Sequence, residues 1–346
     1  MLLPGYFKPM YGYRRVRQRI SKDENAAVSA SGPRPHVLAL AGGVGGAKLA
    51  VGLAKILSPD ALTVVVNTGD DETFYGLHVS PDIDTVTYSL AGLANPDTGW
   101  GFAGDTFNAL ETLEQLGADT WFGLGDHDLA LHLRRTDMLR GGMTLSEVTG
   151  ELARRMGVDH PVVPMSDEPV RTIVESDDGE MSFQEYFVHR RAEPGVRGLR
   201  FDGADSARPA PAFKSALQSA DAIVFCPSNP FLSIDPILAL PGVRDLIAAA
   251  RVPIVVVSPI IGGKAVKGPA ARIFETLANK PPSALAVAEH YAGMATHFVM
   301  DNEDETSREA VEALGYTVLV TATLMTGDAQ KMALASAICD MVGVPA

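Results

Sequence analysis

Short uninterrupted apolar runs alternate along the chain with stretches in which apolar residues recur every third or fourth position. The first run, Val37 to Ala41, leads through Gly42, Gly43, Gly45 and Gly46 into a stretch with Leu49, Leu53, Ile56 and Leu57 on one side. An unbroken apolar run suits a strand buried on both faces of a parallel sheet, and the later spacing suits an amphipathic helix. Strand, glycine turn and helix are therefore predicted in succession. Leu62 to Asn67, Ala222 to Cys226 and Pro253 to Val257 repeat the buried-strand signal. THFVMDNEDE and YTVLVTATL extend it, before a C-terminal helix from about Asp328. Such alternation predicts an α/β fold, a doubly wound and mostly parallel Rossmann-like sheet.

Two segments break the alternation. Residues 82–157 read as a helical insertion, punctuated at Asn95-Pro96, Gly123 to Gly125 and Gly141-Gly142. Residues 161–213 read as a small β-rich excursion with short strands at VVPM, RTIVES and FQEYFVHR. The expected organisation is one Rossmann-like domain over residues 37–346, preceded by an extension, residues 1–36. There Arg14, Arg15, Arg17, Arg19 and Lys22 lead into NAAVSASGPRP without apolar periodicity, the pattern of a mobile arm, and no apolar core of a secretory signal is present.

Composition narrows the classes. Of 346 residues, 46% are hydrophobic and 21% charged, a globular profile, and no apolar segment reaches the roughly 18 residues of a membrane span. A cytoplasmic, soluble protein is expected. A net charge of -13 argues against binding to a nucleic-acid backbone, which needs a basic surface. Cys226 and Cys339 stand alone in apolar surroundings, so a disulfide framework is not expected.

Candidate chemistry starts at the glycines. Positive φ and close approach to backbone N–H groups are what glycine permits, and the following helix turn carries unpaired donors and a positive dipole end, so a phosphate is expected there. The dinucleotide fingerprint fits Gly43 and Gly45 but meets Lys48 where a small residue belongs, and no P-loop pattern can be laid over the loop. A tight turn whose glycines serve only packing is the competing reading. The next strand ends in TGDDETFYGLHVSPDIDT, with Asp70, Asp71, Glu72, Asp82 and Asp84. In open α/β sheets ligands lie outside the carboxyl ends of strands, so these carboxylates are expected to face the glycine loop. A divalent cation such as Mg²⁺ takes one or two carboxylates together with phosphate oxygens. Asp82 has a second reading, as a helix cap. Ser228 and Asn229 end a later strand, and Lys264 and Lys267 follow another; these groups can bond phosphate. Trp100, Phe107, Trp121 and Phe122 supply aromatic surface, whereas His127 and His132 lack a metal-site spacing.

The motifs AGGVGGAKL, VVNTGDDETFYGLHVSPDIDT, GWGFAGDTFNALETLEQLG, WFGLGDHDLALHLRR, CPSNPFLSIDPIL and SPIIGGKAVKGPA, in this order, resemble the 2-phospho-L-lactate transferase family of coenzyme F-420 biosynthesis. The resemblance covers nearly everything after residue 36. It implies a Mg²⁺-dependent transfer from a guanosine diphospho-acid to the deazaflavin alcohol FO, releasing GMP, with a donor-making guanylyltransferase upstream and a glutamate ligase downstream. It also implies acceptor contacts at Asp84, Thr85, Gly123 and Asp126; at Gly123, where some members carry Lys, only backbone is offered. On that footing Asp70, Asp71 and Asp84 are the expected catalytic and metal-binding carboxylates. Gly42, Gly43, Gly45, Gly46, Lys48, Ser228, Asn229 and Lys264 are the expected nucleotide and phosphate contacts. The acid transferred stays open among 2-phospholactate, phosphoenolpyruvate and 3-phosphoglycerate, and a homodimer is the default assembly. Two other classes compete: a nucleotide-sugar-binding regulator of the gluconeogenesis-factor type, which shares the glycine loop, and a nicotinamide dehydrogenase, disfavoured by Lys48.

Overall fold

β1 (Val37–Ala41) and β2 (Leu62–Val66) have every residue buried, which only a sheet covered on both faces allows. They belong to a seven-stranded sheet with β3 (Val162–Pro164), β4 (Ala222–Phe225), β5 (Ile254–Val257), β6 (His297–Asp301) and β7 (Thr317–Thr321). The spatial order is β7-β6-β5-β4-β1-β2-β3, and every neighbouring pair is parallel. This is a computed structural model, and it describes residues 35–265 and 270–345. The expected arm up to residue 34, and Lys267 with Gly268, lie outside the described residues.

The order positions the site. The chain runs outward from β1 to β2 and β3, then returns to place β4 on the other side of β1 and runs outward again. The loops after β1 and β4 therefore diverge at a topological switch point, where open α/β sheets leave a crevice. On one face Leu38, Leu40, Phe225 and Phe298 pack with Phe213 and Ile247. On the other, Ala39, Val64 and Val66 pack under α1 (Gly43–Ile56) and the C-terminal helix Asp328–Val342. Gly52 brings these two helices together, since a Cβ there would lie 2.2 Å from the Lys331 carbonyl oxygen.

The helical segment contains α2 (Pro81–Ala91), α3 (Asn108–Gln115), α4 (Asp126–Arg140) and α5 (Leu145–Arg155). α5 starts on a reciprocal cap, in which Thr144 Oγ1 accepts from the Glu147 N–H and the Glu147 carboxylate accepts from the Thr144 N–H. Ahead of α2, Glu72–Phe74 and Leu77–Val79 form an antiparallel hairpin. The β-rich excursion is a three-stranded antiparallel sheet, with Arg171–Ser176 between Gly179–Ser182 and Val196–Asp202.

Two details differ from the sequence expectation. Val162–Pro164, expected in the excursion, pairs with β2 and forms the edge of the main sheet. FQEYFVHR, expected as a strand, contains a π-helical turn at Glu185–His189. Phe183, Tyr186 and Phe187 carry the i, i+3, i+4 spacing of a helix face, and the Tyr186 hydroxyl donates to the Ala192 and Pro194 carbonyls. Tertiary contacts override the strand preference of an aromatic run.

Candidate functional site

The glycine turn between β1 and α1 is held against the turn after β4. Gly42 N–H donates to Ser228 Oγ at 3.2 Å, and that hydroxyl donates back to the Gly42 carbonyl at 2.9 Å. A Cβ on Gly45 would stand 2.2 Å from the Pro227 carbonyl oxygen, and one on Gly46 would stand 2.7 Å from Ser228 Oγ. Gly43 has φ +61°, the left-handed region that glycine enters without strain. Asn229 accepts the Phe231 and Leu232 N–H groups at 3.0 and 3.2 Å and so caps the turn that follows it. Ser228 and Asn229 thus knit the two turns together, and both border the crevice between them.

Across the crevice stands the acidic wall. Asp82, in the first turn of α2, accepts the Gly43 N–H at 2.6 Å and Asn67 Nδ2 at 3.0 Å. Burial pushes its carboxyl up to about 6, against the pull of those two bonds. Asp70 is pushed well above the usual carboxylate range, first by burial and then by the charges of Asp82 and Asp71. Its Oδ1 is buried with no hydrogen-bond partner, while Oδ2 lies 3.5 Å from Gln184 Nε2. Asp71, the next residue, lies behind the wall and does not border the crevice; its Oδ2 accepts from Ser80 Oγ at 2.8 Å and faces His78 Nε2 at 2.9 Å. Burial raises Asp71 too, and its Oδ1 is likewise unpartnered.

Asp84 stands elsewhere. It was expected with Asp70 and Asp71, yet both of its oxygens accept from Arg135 of α4, one of them at 3.1 Å, and it does not border the crevice. A spacing of two residues explains the difference, because Asp84 is rotated from Asp82 by about 200° around α2 at about 100° per residue, which puts them on nearly opposite sides. Arg135 is 2% exposed. His132 Nδ1 accepts from it at 3.2 Å, and burial lowers His132 to about 4, so a neutral imidazole meets the guanidinium. Among the described residues no group of three or more His, Cys, Asp or Glu is arranged to hold a metal ion. Mg²⁺ needs only one or two carboxylates beside phosphate oxygens, and the orphaned oxygens of Asp70 and Asp71 have that chemistry.

The crevice is a cavity of about 550 Å³ with Gly42, Gly43, Gly45 and Lys48 on one side and Asn67, Asp70 and Asp82 on another. Trp100, Phe183, Phe187 and Phe274 add aromatic surface. Lys48 Nζ donates to the Met325 carbonyl at 2.9 Å. Lys264 is exposed in a short antiparallel turn and does not border the cavity, although Ile260 and Ile261 of that turn do. Thr85, Gly123 and Asp126, expected at the acceptor, also stand off its wall. Thr85 is buried in α2, and a Cβ on Gly123 would meet nothing within 4 Å. Asp126 is lowered to about 2 by hydrogen bonds, first from Thr106 Oγ1 and next from the Ala109 N–H. It anchors the start of α3 to α4.

Comparison with known proteins decides the family. The family model described as 2-phospho-L-lactate transferase CofD matches residues 37–335. The chain belongs to the 2-phospho-L-lactate transferase family. It is a transferase by that membership. The match runs from the first residue of β1 into the C-terminal helix, so both walls of the cavity lie inside it. A phosphoenolpyruvate transferase of Streptomyces griseus is 44% identical over 298 residues, covering 84% of this chain and 93% of that one. A 2-phospho-L-lactate transferase of Methanosarcina acetivorans is 39% identical over 299 residues, covering 86% and 96%. A solved structure of a upf0052 family protein from Bacillus halodurans superposes with a TM-score of 0.58 at 18% identity, covering 89% of this chain and 99% of that one, which shows a shared fold.

Three residues that hold the carboxylates of this region escaped the sequence reading. Asn67 bonds Asp82 and closes its own turn onto the Gly69 N–H at 2.8 Å; a polar residue directly after the three valines that end β2 was its signal. Arg135 shares a helix face with His132 three positions earlier, which hinted at a common partner. Gln184 reaches the Asp70 backbone carbonyl at 3.2 Å from the excursion, a contact no local pattern announces. No helix of the described residues is long and apolar enough to cross a membrane.

Proposed function

We propose that this protein transfers a phospho-acid group, phosphoenolpyruvyl in the first instance, from a guanosine diphospho-acid to the ribityl hydroxyl of FO in coenzyme F-420 biosynthesis. The hydroxyl oxygen bonds to the phosphorus that carries the acid, the bond to the nucleotide phosphate breaks, and GMP leaves. The observation that supports this most is the pairing of a glycine turn with the buried carboxylate of Asp70, one oxygen of which has no hydrogen-bond partner, across one cavity. Phosphoryl transfer of this kind depends on positioning and on compensating charge at the phosphoryl oxygens.

In this reading the diphosphate lies along Gly43 to Lys48, with the Lys48 ammonium beside it. Asp70 and Asp71 hold Mg²⁺, which when bound neutralises charge on the transferring group. Asp82 is committed to the Gly43 N–H and sets the shape of the turn. Phosphoenolpyruvate is favoured over 2-phospholactate by identities of 44% against 39% with relatives so named. A guanylyltransferase supplies the donor and a glutamate ligase consumes the product, in the cytoplasm, with the transferase as a homodimer.

The test is a competition. The full chain is incubated with FO, GTP, a donor-making guanylyltransferase, Mg²⁺ and the three acids together, and products are resolved by mass. The FO phosphodiester of enolpyruvate with stoichiometric GMP is expected. No FO product with any acid, together with tight binding of a uridine nucleotide sugar, overturns the reading in favour of a regulator.

A further inference from the structure

A second cavity, of about 650 Å³, is bounded by α1, the loop after α2, residues 157–160 and the start of the C-terminal helix. Its size falls in the range of small-molecule sites, roughly 300–1,000 Å³. Six lysines are among the described residues, and three of them, Lys48, Lys55 and Lys331, border this cavity. Against them stand Asp159 and Asp328, leaving one net positive charge on the wall of a chain whose net charge is -13. Asp328 lies between two ammonium groups, at 2.9 Å from Lys55 Nζ and 3.0 Å from Lys331 Nζ.

We propose that this second cavity binds a small phosphate-bearing anion, and that its occupancy weakens binding in the first cavity through Lys48. A phosphate carries more charge than the Asp328 carboxylate and more acceptor oxygens, so it can draw Lys55 and Lys331 toward itself. The two cavities share Val44, Lys48 and Met325. Lys48 Nζ donates to the Met325 carbonyl on that shared wall, and one ammonium cannot serve an anion on each side of it. The segment after α2 also touches both, with Asn95, Pro96 and Gly99 on the second cavity and Thr98 and Trp100 on the first. Coupling between sites is reciprocal, so a ligand in the first cavity weakens the anion in the second by the same factor. Only this coupling rests on the donor reading given above; the anion site does not.

Calorimetric titration of the metal-free full chain with inorganic pyrophosphate, with and without saturating GDP, tests both parts. Pyrophosphate binding that persists, weakened, under saturating GDP is expected. The double variant Lys55→Gln, Lys331→Gln loses that GDP-resistant binding by about tenfold or more, the scale of one lost charge-assisted bond, with GDP affinity alone unchanged. Asp328→Asn, which removes the competing carboxylate, tightens it. Opposite shifts in the two variants cannot come from a damaged scaffold. Complete displacement by GDP, or variants that titrate alike, overturns the proposal. Absence of GDP binding would instead fail the donor reading, and the lysine variants would still decide the anion site.

Discussion

The two walls of the first cavity are built by different means. The glycine wall is local: Gly42 to Gly46 follow one strand, start one helix and dock on one neighbouring turn, and most of its geometry comes from backbone that lacks Cβ atoms. The acidic wall is assembled from distant parts. Asp70 and Asp82 face the cavity, Asp70 meeting Gln184 of the excursion and Asp82 the Gly43 N–H. Behind them, off the cavity, Asp71 meets His78 of the hairpin and Asp84 is taken by Arg135 of α4, 51 residues away. In the first wall, identity at each position prescribes the role; in the second, four similar carboxylates differ only by what tertiary structure brings to them.

Substitutions can break this contrast, in descending order of effect. Arg135→Met leaves Asp84 charged and buried without its partner, and breaking a buried pair from one side costs about 3–5 kcal/mol. Urea unfolding should show that loss, and restoration by adding Asp84→Leu in the same chain would identify the pair as the cause.

Asp70→Asn should leave the melting temperature unchanged or raised, because it removes a buried carboxylate whose Oδ1 has no hydrogen-bond partner and whose ionisation burial disfavours. FO turnover should nevertheless fall by about 10²-fold or more, the usual cost of losing a key electrostatic group. Retained turnover would take Asp70 out of the chemistry. Mg²⁺ removal by a chelator should abolish turnover in the parent, with activity restored on adding the ion back.

Gly45→Ala attacks the other wall. Its Cβ would meet the Pro227 carbonyl oxygen at 2.2 Å, so the turns after β1 and β4 must part, at about 1–3 kcal/mol for such overpacking. GDP affinity should drop with stability, and an unaltered GDP isotherm would show that the turn-to-turn contact does not shape the site.

Asp82→Asn gives the smallest effect, visible in its pH dependence. The folded carboxyl lies near 6, above its usual value near 4, so the folded state holds a proton that the unfolded chain has released between those values. Stability contributed by this group is therefore greatest at low pH and falls as pH rises from about 4 to about 6. In metal-free buffer the variant should show a shallower fall in unfolding free energy over that window, and an identical slope would place the proton elsewhere.

Much of the fold was legible because buried parallel strands announce themselves as continuous apolar runs, as in LTVVV and IVVV, and because glycine-rich turns mark where strands give way to helices. FQEYFVHR misled because residue preference for strands is weak against the packing of Phe183 and Tyr186. The candidate site was legible as a set of motifs and not as a set of roles. Asp82 and Asp84 are two residues apart in one helical turn, yet one faces the cavity and the other an arginine from α4.

By itself, the sequence determined the parallel sheet, the strand-to-helix glycine turn, the concentration of carboxylates after β2 and membership in the transferase family. These depend on short-range spacing and on residue type, which a chain carries in one dimension. Only the tertiary structure decided which carboxylate keeps an unpaired oxygen, where Lys48 points its ammonium and which lysines gather around a second cavity. Those outcomes turn on burial and on partners far away in the chain, and both come into being only when the sheet closes against its helices.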